Sequence, residues 1–427
     1  MIKTKISRIL YRLGMGLKPL FVKFLSFETR QRLKKKILKS AFPIEKSGKK
    51  LVASKTSKGI NLIGYNRAEM GIGESCRIAA KSLSAADIPF GIINFTGTNR
   101  ARMTDLSWTE KEIDSPIFNV NIFHINAEQM TEVYAAHGNS IFQNRYNIGY
   151  WAWELPDFPD EWCDSFQLLD EIWVPSTFVN NSIAIKSPIP VVTIPHSIEV
   201  RITQPRNRAY FKLPEDAFLF LSMYDVNSYQ ARKNPQASVE AFKRSFAFND
   251  QSVGLVIKVN GSNANQGEME MLLELVKEND NIYLIKETLS RNDINGLISV
   301  VDCFVSLHRS EGFGLGLAEA MYLHKPVIGT NWSSVTDFMN DTNSCPVNYT
   351  LVQVGKDYGP YKSYQYWADP DIENASNYMK KLVAEPLYYE KIADEGKRTI
   401  QEHFSPSVVG SLIQKRLQYI YLWKFGG

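Results

Sequence analysis

No apolar run in this 427-residue chain approaches the roughly 18 to 20 residues that cross a bilayer. Cysteine is scarce as well. Cys76, Cys163, Cys303 and Cys345 are widely spaced and form no CxxC or Cys/His pattern, which argues against a disulfide framework or a metal site and fits a reducing cytoplasm. The first residues carry charge on both sides of Ile9–Leu10 without a clean hydrophobic region, so they do not read as a signal peptide. Internal repeats and low-complexity tracts are absent too. What remains, 44% hydrophobic and 22% charged residues, is the composition of a soluble globular protein. Its length predicts two domains rather than one core.

The net charge of +4 conceals an asymmetry. Residues 1–50 hold 15 of the 49 Lys and Arg but only two of the 45 acids, Glu28 and Glu45, leaving 34 bases against 43 acids in the other 377 residues. Within that basic start, Ile6, Ile9, Leu10, Leu13, Leu17, Leu20, Phe21, Phe24 and Leu25 recur at helical spacing. A basic amphipathic segment over residues 1–55 suits the interface of an anionic membrane; the alternative is a helix pair packed on the protein with its basic face solvated. Nucleic acid is not an expected partner, because the acidic remainder would repel it.

From residue 58 onward, short apolar strands alternate with helical segments, the pattern of parallel α/β sheets. Strands are predicted at residues 60–65, 90–95, 120–125, 147–151, 171–174 and 191–194, with helices near 73–85, 127–136, 161–168 and 177–185. After a polar, basic linker over 199–214, a second series follows at 217–222, 254–259, 282–285, 301–307, 326–328 and 345–347. Its helices are expected near 235–246, 267–277, 291–300, 315–322 and 335–339. An aromatic, irregular insertion follows residue 349, and a last helix near 406–423 is long enough to cross back to the first domain. The expected domains are therefore 58–200 and 201–405, with 406–427 as the returning helix. Two doubly wound domains leave a cleft between the C-terminal edges of their sheets, where ligands of such sheets bind.

One turn at that edge stands out: Glu311-Gly-Phe-Gly-Leu-Gly-Leu-Ala-Glu319. Gly312, Gly314 and Gly316 allow a tight turn and close approach to a ligand, and the helix that follows aims its free N–H groups and positive dipole end at an anion. The flanking carboxylates suit hydroxyls on either side of that anion. A diphosphate between hydroxyl-rich groups describes a nucleotide sugar. In the first domain, Gly71-Ile-Gly73-Glu74 forms the opposing turn.

These pieces, in this order, resemble the nucleotide-sugar glycosyltransferases of glycosyltransferase family 4, whose two Rossmann-like domains form the GT-B architecture. The resemblance spans about residues 58–425 and rests on the Gly71–Glu74 turn, Asp170-Glu-Ile-Trp-Val-Pro-Ser176, Val192-Thr-Ile-Pro-His-Ser-Ile198, Arg232-Lys-Asn-Pro235, Glu311–Glu319 and Lys325-Pro-Val-Ile-Gly-Thr-Asn331. Gly149-Tyr-Trp-Ala-Trp-Glu-Leu-Pro156 is similar to a subgroup of bacterial surface-polysaccharide transferases. The resemblance implies a retaining, metal-independent hexosyltransferase using a UDP- or GDP-linked sugar and a glycan acceptor, lipid-linked at the inner face of the membrane, as in lipopolysaccharide synthesis. It places Arg232 and Lys233 on the diphosphate and Glu311 on the transferred sugar. Glu319 falls on the ribose, with Gly312, Phe313, Gly314, Leu315 and Gly73 lining the donor site and the base near Glu287–Leu289. Glu154, Trp153, His124 and His308 are candidates for acceptor or sugar contacts. Glu154 also suits the wall of the cleft, and His124 and His196 also suit buried structural roles. A glycoside phosphorylase or sugar-nucleotide epimerase on the same architecture is the alternative enzyme, and a nucleotide-sugar scaffold without turnover the alternative class. One departure matters: the family often carries an arginine just after the first strand of the second domain, where this chain reads Leu221-Ser-Met-Tyr-Asp225, leaving His308 or Arg309 as substitutes.

The charge asymmetry generates a prediction. The full chain should sediment with anionic lipid vesicles, and a chain lacking residues 1–50 should stay in the supernatant; equal sedimentation of the two would leave the basic segment without a membrane role.

Overall fold

The computed structural model describes residues 57–97, 101–260 and 266–426, with single helical positions between 29 and 41. The expected amphipathic segment over residues 1–55 otherwise lies outside the described residues. Among the described residues, no helix is long and apolar enough to cross a membrane.

The first unit runs β1 (Ser57–Gly64), α1 (Gly71–Ala85), β2 (Phe90–Asn94), β3 (Phe118–His124), α2 (Met130–His137), β4 (Tyr146–Tyr150), β5 (Glu171–Val174), α3 (Thr177–Ala184) and β6 (Val191–Thr193). Its strands form one parallel sheet in the order β2-β1-β3-β4-β5-β6. The second unit runs β7 (Phe218–Asp225), α4 (Gln230–Lys233), α5 (Pro235–Ser245), β8 (Val253–Asn260), α6 (Gln266–Val276), β9 (Ile282–Ile285), α7 (Arg291–Val300), β10 (Cys303–Ser306), α8 (Leu315–Tyr322), β11 (Val327–Thr330) and β12 (Cys345–Val347). Its parallel order is β12-β11-β10-β7-β8-β9. Sheets covered on both faces need strands that are apolar throughout, and Val253–Val259 or Ile60–Ile63 are buried along their length. Ser176 and Ser290 cap α3 and α7 by accepting the Val179 and Asp293 amides, and a proline opens α5.

An exception to apolar strands crosses the first sheet. Asn61, Asn121 and Asn147 stand in register on β1, β3 and β4. Asn61 Nδ2 donates to Asn121 Oδ1 at 2.9 Å, and Asn121 Nδ2 to Asn147 Oδ1 at 2.8 Å. All three are fully buried. A strand slipped by one residue would bury these amides unpaired, so the ladder fixes the register.

Several elements differ from expectation. Residues 160–168 form a 3-10 helix, not an α-helix, held by Phe166 against Trp151 and Phe158 and by Trp162 against Trp153; aromatic packing overrides the α period. The helix expected at 127–136 splits into a 3-10 turn and α2, and that at 335–339 is a 3-10 turn over Ser333–Asp337. The insertion after residue 349 is not wholly irregular: β13 (Tyr349–Gln353) and β14 (Tyr366–Pro370) pair as an antiparallel hairpin. β7 extends to Asp225, three residues beyond its expected end, because every residue to Asp225 pairs with β8.

After the hairpin come α9 (Ile372–Ala384), α10 (Pro386–Phe404) and α11 (Pro406–Ile420). α11 leaves the second unit and packs on the first, its Val409, Ile413, Leu417 and Ile420 sharing a core with Ile60, Leu62, Cys76 and Leu83. Gly410 permits the approach, since a Cβ there would lie 2.5 Å from the Ser82 carbonyl oxygen. Arg416 anchors the helix through Nε, 2.8 Å from Oε1 of the fully buried Glu171.

Breaking a buried pair by removing one partner leaves an uncompensated charge. Arg416→Ala should therefore cost about 3–5 kcal/mol in urea unfolding, whereas a loss below about 1 kcal/mol would mark the pair as a surface bridge.

Candidate active site

Both sheets reverse their strand order once, the first between β1 and β3 and the second between β7 and β10. Crevices outside the C-terminal ends of strands at such reversals are where open α/β sheets bind ligands. The segments leaving β7 and β10 carry Arg232-Lys233 and Glu311, and the segment leaving β1 carries Gly71–Glu74.

Arg232 and Lys233 lie on α4, a single turn flanked by two residues at positive φ, Tyr229 at 61° and Asn234 at 51°. Such conformations are strained for non-glycine residues and concentrate at functional sites. The Lys233 ammonium bonds Glu311 Oε1. Arg232 Nη1 donates to the Ser310 carbonyl at 2.8 Å and sits 3.6 Å from Glu311 Oε2. Burial pushes the Glu311 carboxyl up, but Lys233, Arg232 and His308 outweigh it and hold the group down at about 2. Glu311 is therefore ionised and matched by two cations. Arg232 is 4% exposed, and its buried Nε has no partner among the described residues.

The glycines of the 311–319 turn divide their work differently from expectation. Gly314 alone sits at positive φ, 95°, where a Cβ would also strike Val335 at 2.7 Å. Gly316 lets α8 lie against Phe304, whose Cζ would be 2.9 Å from a Cβ. Gly312 has ordinary room, facing the Trp153 carbonyl of the first unit at 3.5 Å. Phe313 turns inward as a core residue, edge-on to His196 and near Phe338 and Phe404. Leu315 opens α8; the Leu317 and Ala318 amides already donate to the Gly314 carbonyl, so those of Leu315 and Gly316 are the ones that would face an anion. Ser333, itself at φ 66°, accepts the Glu311 amide at 2.9 Å.

Glu319 is buried and pairs with Arg291 at the start of α7. Burial raises the Glu319 carboxyl despite Arg291. Arg291 Nε also lies 3.8 Å from Glu74 of the first unit, so one guanidinium spans the cleft between two carboxylates. Sequence reasoning missed Arg291, since a polar first-turn residue of a helix has no pattern of its own.

Lys258 was missed as well. It interrupts the apolar strand Val253–Val259, is 1% exposed, and donates to the Val259 carbonyl at 3.2 Å and to Asn260. Burial lowers its ammonium to about 8, against the opposing pull of Asp225 and Glu287. The register places Lys258 beside Met223, where the resembling family often has its arginine. Arg309, by contrast, is committed elsewhere: Nε and Nη2 lie 3.0 and 2.8 Å from Asp369 Oδ1, and Nη1 donates to the Ala231 carbonyl at 2.7 Å.

On the opposite wall, Glu154 faces the cluster. Its Oε1 lies 3.9 Å from Arg232 Nη2, its Oε2 accepts from Tyr361 at 3.0 Å, and its carbonyl accepts from Ser310. Trp153 is a buried member of the aromatic core, one ring face covered by Tyr361 at 5.4 Å. His124 is also interior, 3.2 Å from Ser75 Oγ and stacked on Tyr150 at 4.3 Å. Tyr150 in turn meets His196 Nδ1 at 3.2 Å. The cavity beside these rings holds about 10 Å³, about one water at most, so His124 serves packing. Gly73 is needed for packing too: its Cβ would lie 2.2 Å from the Ala68 carbonyl. His308 stands beside Glu311, fully buried. The units also touch through Ser176 Oγ, 2.8 Å from Ser334 Oγ, and through the Thr177 amide, 2.7 Å from Asp337 Oδ2. Among the described residues no cluster of three or more His, Cys, Asp or Glu could hold a metal ion.

Comparison with known proteins agrees with this geometry. Residues 203–357 match the family described as Glycosyl transferases group 1. The chain is 26% identical over 207 residues to the Alpha-1,3/1,6-mannosyltransferase ALG2 of Dictyostelium discoideum, a match covering 45% of this chain and 43% of that protein. Among solved structures it is similar to Anabaena Alr3699/HepE in complex with UDP-glucose (TM-score 0.61, 11% identity) and to sucrose-phosphate synthase from Thermosynechococcus elongatus (TM-score 0.63, 13% identity). These matches cover 85% and 86% of this chain and 100% of each of theirs. The chain has the GT-B fold, two Rossmann-like domains facing across a cleft.

Lys258 generates a prediction. A folded-state lysine held near 8, below its ordinary 10.5, penalises the fold fully below pH 8 and progressively less as pH rises toward 10.5. Lys258→Met should raise the melting temperature at pH 7, with the gain shrinking above pH 8. A fall in melting temperature at pH 7 would mean that Asp225 and Glu287 depend on the ammonium.

Proposed function

We propose that this chain is a retaining glycosyltransferase that moves a hexose-type sugar from a UDP- or GDP-linked donor to a lipid-linked glycan acceptor in bacterial surface-polysaccharide synthesis. The observation that carries the reading is the Arg232–Lys233–Glu311 cluster at the strand-order reversal of the second sheet. It lies within the stretch that matches Glycosyl transferases group 1, and the mannosyltransferase similarity supports a glycan acceptor.

In this reading the donor diphosphate lies between α4 and the N-terminus of α8. Lys233 and Arg232 exchange part of their pairing with Glu311 for phosphate oxygens, and Glu311 turns to hydroxyls of the sugar. As the nucleoside diphosphate departs, negative charge grows on it, and cations already fixed in place stabilise that charge without reorganising. Lys258, beside Met223, adds to the positive field. Arg232, Lys233, Lys258 and the helix end meet the diphosphate without a metal. Glu319 accepts the ribose hydroxyls, which requires the donor to displace Arg291 toward Glu74. The acceptor hydroxyl attacks from the side of the leaving group, which takes its proton, so that configuration is retained without a protein nucleophile. Glu154 orients the acceptor from the opposite wall. Residues 1–50 hold the protein at the anionic inner face of the cell membrane.

Thermal shift against UDP, GDP, ADP, CMP and dTDP, then the corresponding nucleotide sugars, tests the donor site. A ligand at 100 times its Kd adds about 2.7 kcal/mol. One nucleotide should raise the melting temperature of the wild type but not of Glu319→Ala, and silence from all five would refute the donor assignment. Lys233→Ala and Glu311→Ala should each lower turnover by roughly two or more orders of magnitude while retaining the native circular dichroism spectrum; near-normal turnover in either removes it from the site.

A further inference from the structure

His308 follows β10, three residues before Glu311, and is fully buried. One side of its ring is satisfied: Nδ1 lies 3.0 Å from Ser306 Oγ, and the Ser306 backbone also holds the ring. The other side is not. Nε2 is buried and has no hydrogen-bond partner among the described residues. Leaving a buried polar atom unmatched costs free energy, and each such atom in a native structure calls for an explanation. The orphan belongs to a ring on which Glu311, Lys233 and Arg232 of the charged cluster all act.

The ring is neutral at pH 7, because burial lowers it to about 4 against the pull of Glu311. A neutral imidazole has one N–H and one lone pair, and the bond made by one nitrogen decides the state of the other. The backbone bond to Ser306 favours a proton on the ring, and Nδ1 is the nitrogen that faces Ser306. With that proton on Nδ1, Nε2 presents a lone pair. A lone pair has no use for a phosphate oxygen, which is itself an acceptor; it fits a hydroxyl.

We propose that His308 Nε2 accepts a hydrogen bond from a hydroxyl of the transferred sugar, and so reads the sugar rather than the nucleotide. The proposal rests on the donor-site reading above. His308 and the three charged groups around it all belong to the second unit, which favours the donor sugar over an acceptor arriving from the first. The pairing also divides labour within the cluster. Arg232 and Lys233 answer the diphosphate's charge, while a neutral acceptor senses whether a hydroxyl is present and where it points. A site built to bond a hydroxyl rejects analogues lacking it far more strongly than an apolar pocket can, because the buried partner is then left unmatched.

The test compares UDP with UDP-glucose and GDP with GDP-mannose by calorimetry, on wild type, His308→Leu and His308→Gln, with melting curves to establish folding. For whichever pair binds wild type, His308→Leu should weaken the nucleotide sugar on the order of tenfold and leave the nucleoside diphosphate within about twofold. His308→Gln, which keeps an acceptor oxygen, should recover part of the loss. In ¹⁵N-histidine-labelled wild type, Nε2 should resonate as an unprotonated nitrogen that shifts with the nucleotide sugar and not with the diphosphate. Equal loss of both ligands would assign His308 to the phosphates and overturn the proposal. No loss of either, or a protonated Nε2, would also overturn it. Failure of all four probes to bind wild type would refute the UDP- or GDP-linked donor on which the proposal rests, a result distinct from these.

Discussion

A buried carboxylate has to be matched, and much of the cleft is arranged around matching Glu311. Its oxygens are met by Lys233 and Arg232 from a different strand-to-helix segment, so the loops leaving β7 and β10 are tied together. Taking one cation away leaves a charge that neither water nor protein can satisfy cheaply. The geometry of the single-turn helix α4, with strained residues at both ends, follows from that requirement. So does the Ser333 conformation that holds the Glu311 amide. A ligand able to replace those cation contacts with its own oxygens and hydroxyls would inherit a site whose ordering cost is already met.

The same pattern repeats across the cleft at larger scale. Arg291 joins Glu319 to Glu74, Arg232 approaches Glu154, and Ser310 and Ser176 bond groups on the opposite unit. The β13–β14 hairpin adds Tyr361 on Glu154 and Gln365 Nε2, 2.8 Å from the Asp157 carbonyl. Beside these polar contacts, two of the four hydrophobic clusters also cross between the units: Val354, Tyr361 and Trp367 enter the aromatic core of the first, and α11 covers part of its sheet.

How much of this is legible in the sequence depends on whether the cause is local. Parallel strands buried on both faces announce themselves as apolar runs, so all twelve sheet strands fall close to their expected places. The Glu311–Glu319 turn is legible because glycine content and the change of period occur together. The partners of those carboxylates are less so. Lys233 is found through its motif, but Arg291 is 28 residues from Glu319 and signals nothing until the chain folds. Lys258 leaves a faint trace as a charge inside an apolar strand, and the Asn61–Asn121–Asn147 ladder a similar one. Of the three glycines, sequence suggests equal roles, whereas φ and packing separate Gly314, Gly316 and Gly312. Residues 349–370 read as irregular because their strand pairing is antiparallel and their rings pack on distant residues of both units, Tyr361 on Trp153 and Tyr229, Tyr349 on Trp332.

The return of α11 has a bearing on how the protein is made. Val409, Ile413, Leu417 and Ile420 complete a core whose other members lie between Ile60 and Ile194, and the Tyr421 hydroxyl accepts the Gly59 amide at 2.9 Å. A ribosome emits these segments some 350 residues apart, at about 5–20 residues per second. Until α11 leaves the exit tunnel, part of one face of the first sheet, beside α1, therefore stays uncovered. Completion of the first unit depends on a segment made after the whole second unit, not on the order of domains along the message. A nascent-chain binder acting on this protein would find its substrate on the half synthesised first.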